Sequence, residues 1–256
     1  MRGALRTKSP TIQVFFLAFM VYFLAGIGEL IYFLTLQLVV GEQALINADL
    51  RDARIVLSHT LFFQVIGFLI AFIAMLRLTG QRLNQIVSME KLQWKYFGYT
   101  FIVFLLGMFV LPGLSDLNAP LAEFLPADVL ESEALRNAQN ENIMVQSDPI
   151  QFGFALIVMG LLPAICEELI FRGFLIRKML ESGMGFHGVA IFSSLLFAIT
   201  HMQPLKILPM FVLGLLLAYV YLYFRNIKYS MFLHFLINGS QILMAYLIGT
   251  GVLPSA

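Results

Sequence analysis

Charged residues are scarce in this chain. Asp, Glu, Lys and Arg make up 12% of its 256 residues and hydrophobic residues 60%, whereas soluble domains are about 25% charged and about 45–50% apolar. The net charge is only +1, so the composition gives no indication of a nucleic-acid partner. We therefore predict an integral membrane protein with several spans, surrounded mainly by the lipid bilayer.

Several functional motifs are absent as well. Cys166 is the single cysteine, which excludes an internal disulfide framework. The chain has no His-Glu-x-x-His sequence, no Gly-x-Ser-x-Gly turn, no Gly-x-Gly-Asp run and no glycine-rich loop with a lysine. These absences argue against a zincin-type protease, a serine hydrolase of the elbow type, an aspartyl intramembrane protease and a nucleotide-binding protein.

Long apolar runs account for most of the remaining sequence. A membrane-spanning helix needs about 20 predominantly apolar residues, and seven runs approach or exceed this length. We predict an all-α fold, a polytopic transmembrane helical bundle of about seven spans, in which the fifth span is short. The predicted spans are residues 12–40, 56–76, 96–111, 150–176, 188–202, 207–224 and 231–248, the third being ended by Pro112-Gly113.

Basic residues are unevenly distributed between the two sides of this topology. Twelve lie on the side of the N-terminus and four on the other side. The positive-inside rule then predicts a cytoplasmic N-terminus, and we expect the bacterial inner membrane as the location. The twelve are Arg2, Arg6, Lys8, Arg77, Arg82, Lys91, Lys95, Arg172, Arg177, Lys178, Arg225 and Lys228, and the four are Arg51, Arg54, Arg136 and Lys206.

One polar segment divides the apolar runs into two groups. Residues 115–148 contain seven carboxylates and a single basic residue, Arg136. We predict an acidic external loop with one amphipathic helical piece near residues 127–138. The chain would then consist of an N-terminal three-helix membrane part, residues 1–114, this loop, and a C-terminal four-helix core, residues 149–256.

Three short polar patterns interrupt three different apolar helices. A charge at the centre of the bilayer costs roughly 2.5–3.5 kcal/mol, so ionisable residues there usually have a function or a partner. Each pattern contains residues four positions apart, which share one helix face. The patterns are Glu167-Glu168-x-x-x-Arg172, Phe197-x-x-x-His201 and His234-x-x-x-Asn238.

Each pattern has a simpler structural interpretation when taken alone. Glu168 and Arg172 could be only an ion pair that fixes helix packing, and the two histidines could lie at the membrane interface. Asn238 could be an ordinary contact between helices, and Phe197 could be core packing. Together, however, a carboxylate, two imidazoles and an amide are the groups that activate water and stabilise an oxyanion. We interpret Glu29, His59 and Cys166 as structural or interfacial residues.

Residues 148–248 resemble the core of the CPBP family, the bacterial CAAX-protease and bacteriocin-processing membrane proteins. These are similar to the type II CAAX-prenyl endopeptidases. The three patterns match the three family motifs in order, and the surrounding sequences FRGFLIRKML and SSLLFAITH agree with them. The first 147 residues carry no recognised family motif.

The resemblance implies a catalytic site in residues 149–256. Glu167 would activate the attacking water together with His201, and His234 and Asn238 would hold the oxyanion. Glu168 and Arg172 would support the site. No cofactor is expected: zinc ligation by the carboxylates and histidines is conceivable, but a Glu168 bound to Arg172 leaves too few ligands.

The function that we predict is an intramembrane endopeptidase acting on a peptide or protein substrate near the cytoplasmic side of the bilayer. Two alternatives remain at the level of sequence. One is a non-enzymatic bacteriocin self-immunity protein, and the other is a small transporter that uses Glu29, Glu167 and Glu168 as a proton relay. The sequence identifies neither the substrate, nor whether it is prenylated, nor the oligomeric state.

Overall fold

The computed structural model describes residues 2–41, 52–86, 90–144 and 148–254, with the side chains of 140–144 excepted, and these residues contain no β-strand ladder. Arg51 and residues 145–147 of the predicted loop lie outside these ranges. Eight α-helices longer than one turn are present there: α1 Pro10–Val40, α2 Ala53–Thr79, α3 Trp94–Asn118, α4 Ala127–Met144, α5 Pro149–Glu181, α6 Phe186–Thr200, α7 Ile207–Phe224 and α8 Ile227–Gly249.

Six of these helices are long and apolar enough to cross a membrane, namely α1, α2, α3, α5, α7 and α8. Helix α6 is apolar but has only 15 residues. At 1.5 Å per residue it is about 22 Å long, which is less than the hydrocarbon core of about 30 Å. The predicted all-α transmembrane bundle is confirmed, with the fifth predicted span as its short member.

The predicted end of the third span at Leu111 is wrong. Helix α3 continues through Pro112 and Gly113 to Asn118 and is followed by a 3₁₀ segment, Ala119–Phe124. Proline lacks one backbone donor but can be accommodated inside a membrane helix, where neighbouring groups satisfy the freed carbonyl. Pro112 therefore does not act as a helix terminator here.

The described residues of the acidic segment, 115–144, are largely helical rather than a loop. The amphipathic piece is an 18-residue helix, α4, which runs to Met144 rather than to residue 138. It lies against the turn between α6 and α7: Glu133 accepts a hydrogen bond from the Leu205 backbone and Arg136 donates one to the Met202 carbonyl. The composition of a short segment does not predict contacts between residues so far apart in sequence.

Glycines allow close helix packing at two places. Helices α6 and α7 form a hairpin, in which a Cβ on Gly214 would come within 2.9 Å of Ser194 Cα. Helices α1 and α2 approach similarly, and a Cβ on Gly67 would lie 3.1 Å from Ala25 Cβ. Small residues at such crossings are typical of membrane bundles. Helix α8 then packs against α3, α5 and α7.

The orientation in the membrane can be tested by cysteine labelling. In a Cys166→Ala background, Glu131→Cys on α4 should react with an impermeant maleimide added to intact cells. Lys91→Cys, on the predicted cytoplasmic side, should react only after permeabilisation. Both positions are exposed on the protein surface, so a difference in labelling would report the side of the membrane and not burial in the fold. Labelling of Lys91→Cys alone in intact cells would contradict a cytoplasmic N-terminus.

Candidate active site

The polar patterns of the sequence meet around one cavity of about 330 Å³. The expected site residues Glu167, His201, His234 and Asn238 all contribute to its wall. Glu168 and Arg172 lie behind this wall. The other lining residues are Thr60, Met159, Pro163, Phe197, Gln203, Lys206, Met210, Leu213, Gln241 and Ile242.

Glu167 faces both imidazoles. It is 6% exposed, and its Oε2 lies 4.0 Å from His201 Nε2 and 3.9 Å from His234 Nε2. Both distances exceed hydrogen-bond range, and this Oε2 has no hydrogen-bond partner among the described residues. Oε2 of Glu167 therefore lies beside two ring nitrogens and accepts no hydrogen bond from the described residues.

His201 reaches this position because helix α6 is short. The helix ends at Thr200, and His201 follows at its C-terminus, where Nδ1 lies 2.7 Å from the Phe197 carbonyl. A carbonyl only accepts, so Nδ1 carries the proton and Nε2, in the neutral ring, is an acceptor. Met202 then adopts the left-handed φ of 51°, which reverses the chain towards α7.

Helix α4 holds this turn in place. Arg136 Nη2 donates to the Met202 carbonyl at 2.7 Å, and Glu133 accepts from the Leu205 backbone at 3.1 Å. Lys206 Nζ donates to Asn137 Oδ1 at 2.7 Å. A left-handed non-glycine residue costs of order 1–3 kcal/mol and persists only when its surroundings enforce it. These contacts from α4 hold Met202 in its left-handed conformation next to His201.

Glu168 and Arg172 form a fully buried ion pair. Arg172 Nη1 donates to Glu168 Oε1 at 2.9 Å, and both side chains are 0% exposed. The same Oε1 lies 3.1 Å from His234 Nδ1, while Arg172 Nη2 donates to the Gly214 carbonyl at 2.9 Å. The pair therefore joins helix α5 to α7 and α8 and orients the ring of His234.

Phe197 packs among the same polar groups. It is fully buried, and its ring centroid lies 4.5 Å from that of His201 and 5.9 Å from that of His234. The guanidinium carbon of Arg172 lies 5.0 Å from the ring centroid, within cation–π range. The sequence suggested only core packing for Phe197, but the residue packs specifically against the two histidines and the arginine.

Three π-helical stretches lie next to the site, at Phe63–Ile70, Leu156–Leu161 and Leu169–Ile176. Such stretches shift side chains relative to an α-helix and often occur at functional sites. Asn238 Nδ2 donates to the Met159 carbonyl in the second stretch at 3.3 Å, which fixes the amide beside the cavity. An amide nitrogen carries two hydrogens, so a second donor remains.

Sequence reasoning missed Gln64 in the first stretch. Its Nε2 donates to Glu167 Oε1 at 2.9 Å, and the residue is 5% exposed. The available signal was a single amide inside the apolar run FFQVIGFLI. That signal indicates buried polarity but does not identify the partner, which is 103 positions away.

Other ionisable residues lie apart from this cavity. Glu29 Oε1 is 3.7 Å from His59 Nε2, and both side chains are partly exposed. Cys166 is buried and does not line the cavity. Within the described part of the chain, no three His, Cys, Asp or Glu side chains are grouped as metal ligands.

Residues 149–240 match a protein family described as type II CAAX prenyl endopeptidase Rce1-like. The resemblance inferred from the three motifs is confirmed. The matched Rce1-like segment is about a third of the chain and contains all six predicted site residues. Neither the curated proteins nor the solved structures include a significant match. The Rce1-like match indicates a membrane endopeptidase of the CAAX type.

The two adjacent glutamates should differ in their effect on stability. Glu168→Ala leaves Arg172 as an uncompensated buried charge, and breaking such a pair costs roughly 3–5 kcal/mol. Glu167→Ala removes the hydrogen bond from the neutral amide of Gln64 but breaks no ion pair with Arg172, so we expect a smaller loss. Thermal unfolding in detergent should show a clearly lower Tm for Glu168→Ala. Equal melting temperatures, or the opposite order, would contradict the support role.

Proposed function

We propose that this protein is an intramembrane endopeptidase in which Glu167 acts as the general base for attack of water on a peptide bond. The observation that carries the proposal is the buried Oε2 of Glu167 between the Nε2 atoms of His201 and His234. A water bound beside this oxygen could donate one hydrogen to Glu167 and the other to His201 Nε2. Both groups would then increase its nucleophilicity.

The peptide carbonyl would need hydrogen-bond donors for the negative charge that develops on its oxygen. Asn238 retains a second N–H for this oxygen, and His234, whose Nδ1 faces Glu168, presents Nε2 to the same cavity. Donors that are already in place at such an oxyanion supply a large part of catalysis. The Glu168 carboxylate orients the His234 ring and at the same time remains paired with Arg172.

The reaction then proceeds with balanced proton transfers. Glu167 takes a proton from water as the water oxygen bonds to the carbonyl carbon, and the carbonyl π-electrons move to the oxygen. When the tetrahedral intermediate collapses, the C–N bond breaks and the proton on Glu167 passes to the leaving amine. The products are a carboxylic acid and an amine, the acid passes its remaining proton to the amine to give a carboxylate and an ammonium group, and Glu167 is regenerated as a base.

The cavity suggests how a substrate reaches Glu167. It extends to Gln203 and Lys206 at the start of α7, whereas Arg225 lies at the opposite end of that helix. A second cavity shares Thr60 and Gln203 with it. The short helix α6 brings His201 to the end of the bundle covered by α4. Under the predicted topology that end faces outwards, so the two sequence-based expectations, an external acidic segment and a site near the cytoplasmic side, exclude each other. We propose that the peptide approaches from that end.

The decisive experiment uses purified full-length protein in liposomes with internally quenched apolar peptides, among them peptides ending in a prenylated CAAX sequence. Cleavage of the prenylated members alone would identify the substrate class that the family name implies. Cleavage of unmodified apolar peptides would indicate a broader intramembrane protease. Absence of cleavage throughout would contradict the proposed function and favour a non-enzymatic role such as bacteriocin self-immunity.

Substitution of Glu167 tests the proposed base. Glu167→Gln preserves size but cannot accept the proton, and general-base assistance is typically worth 10²–10⁴-fold. We expect cleavage to become undetectable while the Tm is preserved, and His201→Ala should behave similarly. Asn238→Ala should lower the cleavage rate roughly 100-fold, the effect of removing one oxyanion donor. Glu131→Gln on the exposed face of α4 is the matched control, and full activity of Glu167→Gln would refute the assignment.

The proposed mechanism uses no metal, since Glu168 Oε1 already contacts Arg172 and His234. Protein treated with a strong chelator should therefore keep its activity, measured with the same peptides and alongside metal analysis. Stoichiometric zinc whose removal abolishes cleavage and whose return restores it would overturn this mechanism. Glu167, His201 and His234 would then be the candidate ligands.

A further inference from the structure

A buried glutamine of the N-terminal part contacts the proposed base. Gln64 lies on helix α2, outside the matched segment 149–240, and is 5% exposed. Its Nε2 donates to Glu167 Oε1 at 2.9 Å. In the opposite amide orientation two acceptor oxygens would face each other, whereas in this orientation a donor faces an acceptor.

This hydrogen bond distinguishes the two oxygens of Glu167. Oε1 is occupied by Gln64, whereas Oε2 faces the Nε2 atoms of His201 and His234. A carboxylate held at one oxygen cannot rotate freely about its terminal bond. Oε2 is therefore kept in the direction from which a water shared with His201 could be deprotonated.

The packing of α2 determines where Gln64 lies. Gly67, three residues further along the π-helical stretch, contacts α1 so closely that a Cβ would come within 3.1 Å of Ala25 Cβ. The same stretch packs against the α5 segment Leu162–Glu168. Helix α1 thus supports α2 on one side, and α2 presents Gln64 to Glu167 on the other.

We propose that Gln64 is a positioning residue for the hydrolysis, and that the N-terminal helices therefore form part of the active site. This inference rests on the proposed function, because it assigns Gln64 a role through Glu167. Gln64 would act by holding Glu167 in its reactive orientation rather than by binding the substrate. Its removal should consequently slow the chemical step and leave substrate affinity nearly unchanged.

The test compares Gln64→Met, which keeps the approximate shape but removes the donor, with the wild-type protein in the liposome peptide assay. We expect kcat per folded molecule to fall by about 10- to 100-fold, the range for one hydrogen bond to a charged group, with little change in KM. Gln64→Glu should be more severe although it is closer in shape, because a second carboxylate would compete with Glu167 for its proton.

Gln13 provides a matched control. It is another glutamine with 5% exposure, and its Nε2 donates to the Leu5 and Lys8 carbonyls, away from the cavity. Gln13→Met should lower the Tm without lowering kcat. If both methionine variants reduced kcat in proportion to their loss of Tm, Gln64 would be only structural and the inference would be refuted.

The remaining outcomes separate this inference from the proposed function. Full kcat in Gln64→Met, with Glu167→Gln inactive, would overturn the positioning role and leave the proposed function intact. A raised KM at unchanged kcat would also overturn it, since Gln64 would then bind substrate. Activity of Glu167→Gln would refute the proposed function itself. If Gln64→Met does not fold, Gln64→Leu and Gln64→Glu allow the same comparison.

Discussion

The site depends on one buried ion pair, Glu168 with Arg172. Both side chains are completely buried, and their hydrogen bonds reach His234 on α8 and the Gly214 carbonyl on α7. In a bilayer, unpaired charges and unsatisfied carbonyls cost more than they do at a water-exposed surface. The pair can therefore exist only when α5, α7 and α8 are assembled together, which also brings His234 to its place beside Glu167.

Two neighbouring carboxylates have different surroundings as a result. Oε1 of Glu168 meets both the Arg172 guanidinium and the His234 ring, whereas Glu167 is bonded at Oε1 by Gln64 and keeps Oε2 towards the histidines. Residues adjacent in a helix point about 100° apart, so each glutamate meets a different set of helices. Two adjacent residues can thus have different roles, a structural one for Glu168 and the proposed catalytic one for Glu167.

Much of this arrangement could be predicted from the sequence by itself. Scarce charge and long apolar runs determine a helical membrane bundle, because only helices satisfy the backbone of such segments in lipid. The spacing Glu168-x-x-x-Arg172 predicts a pair on one helix face, and polar residues in three apolar helices predict a shared interior site. These features follow from local chemistry, and the C-terminal motifs added a family resemblance that covers residues 149–240.

Only the tertiary structure decided the rest. The continuation of α3 through Pro112, the contacts of α4 with the turn after His201, and the bond from Gln64 to Glu167 all depend on groups distant in sequence. A lone glutamine in an apolar run specifies that a partner is needed but not which one. Its partner is determined by helix packing, here by the close approach of α2 to α1 at Gly67, because side-chain hydrogen bonds form wherever packing brings donor and acceptor together.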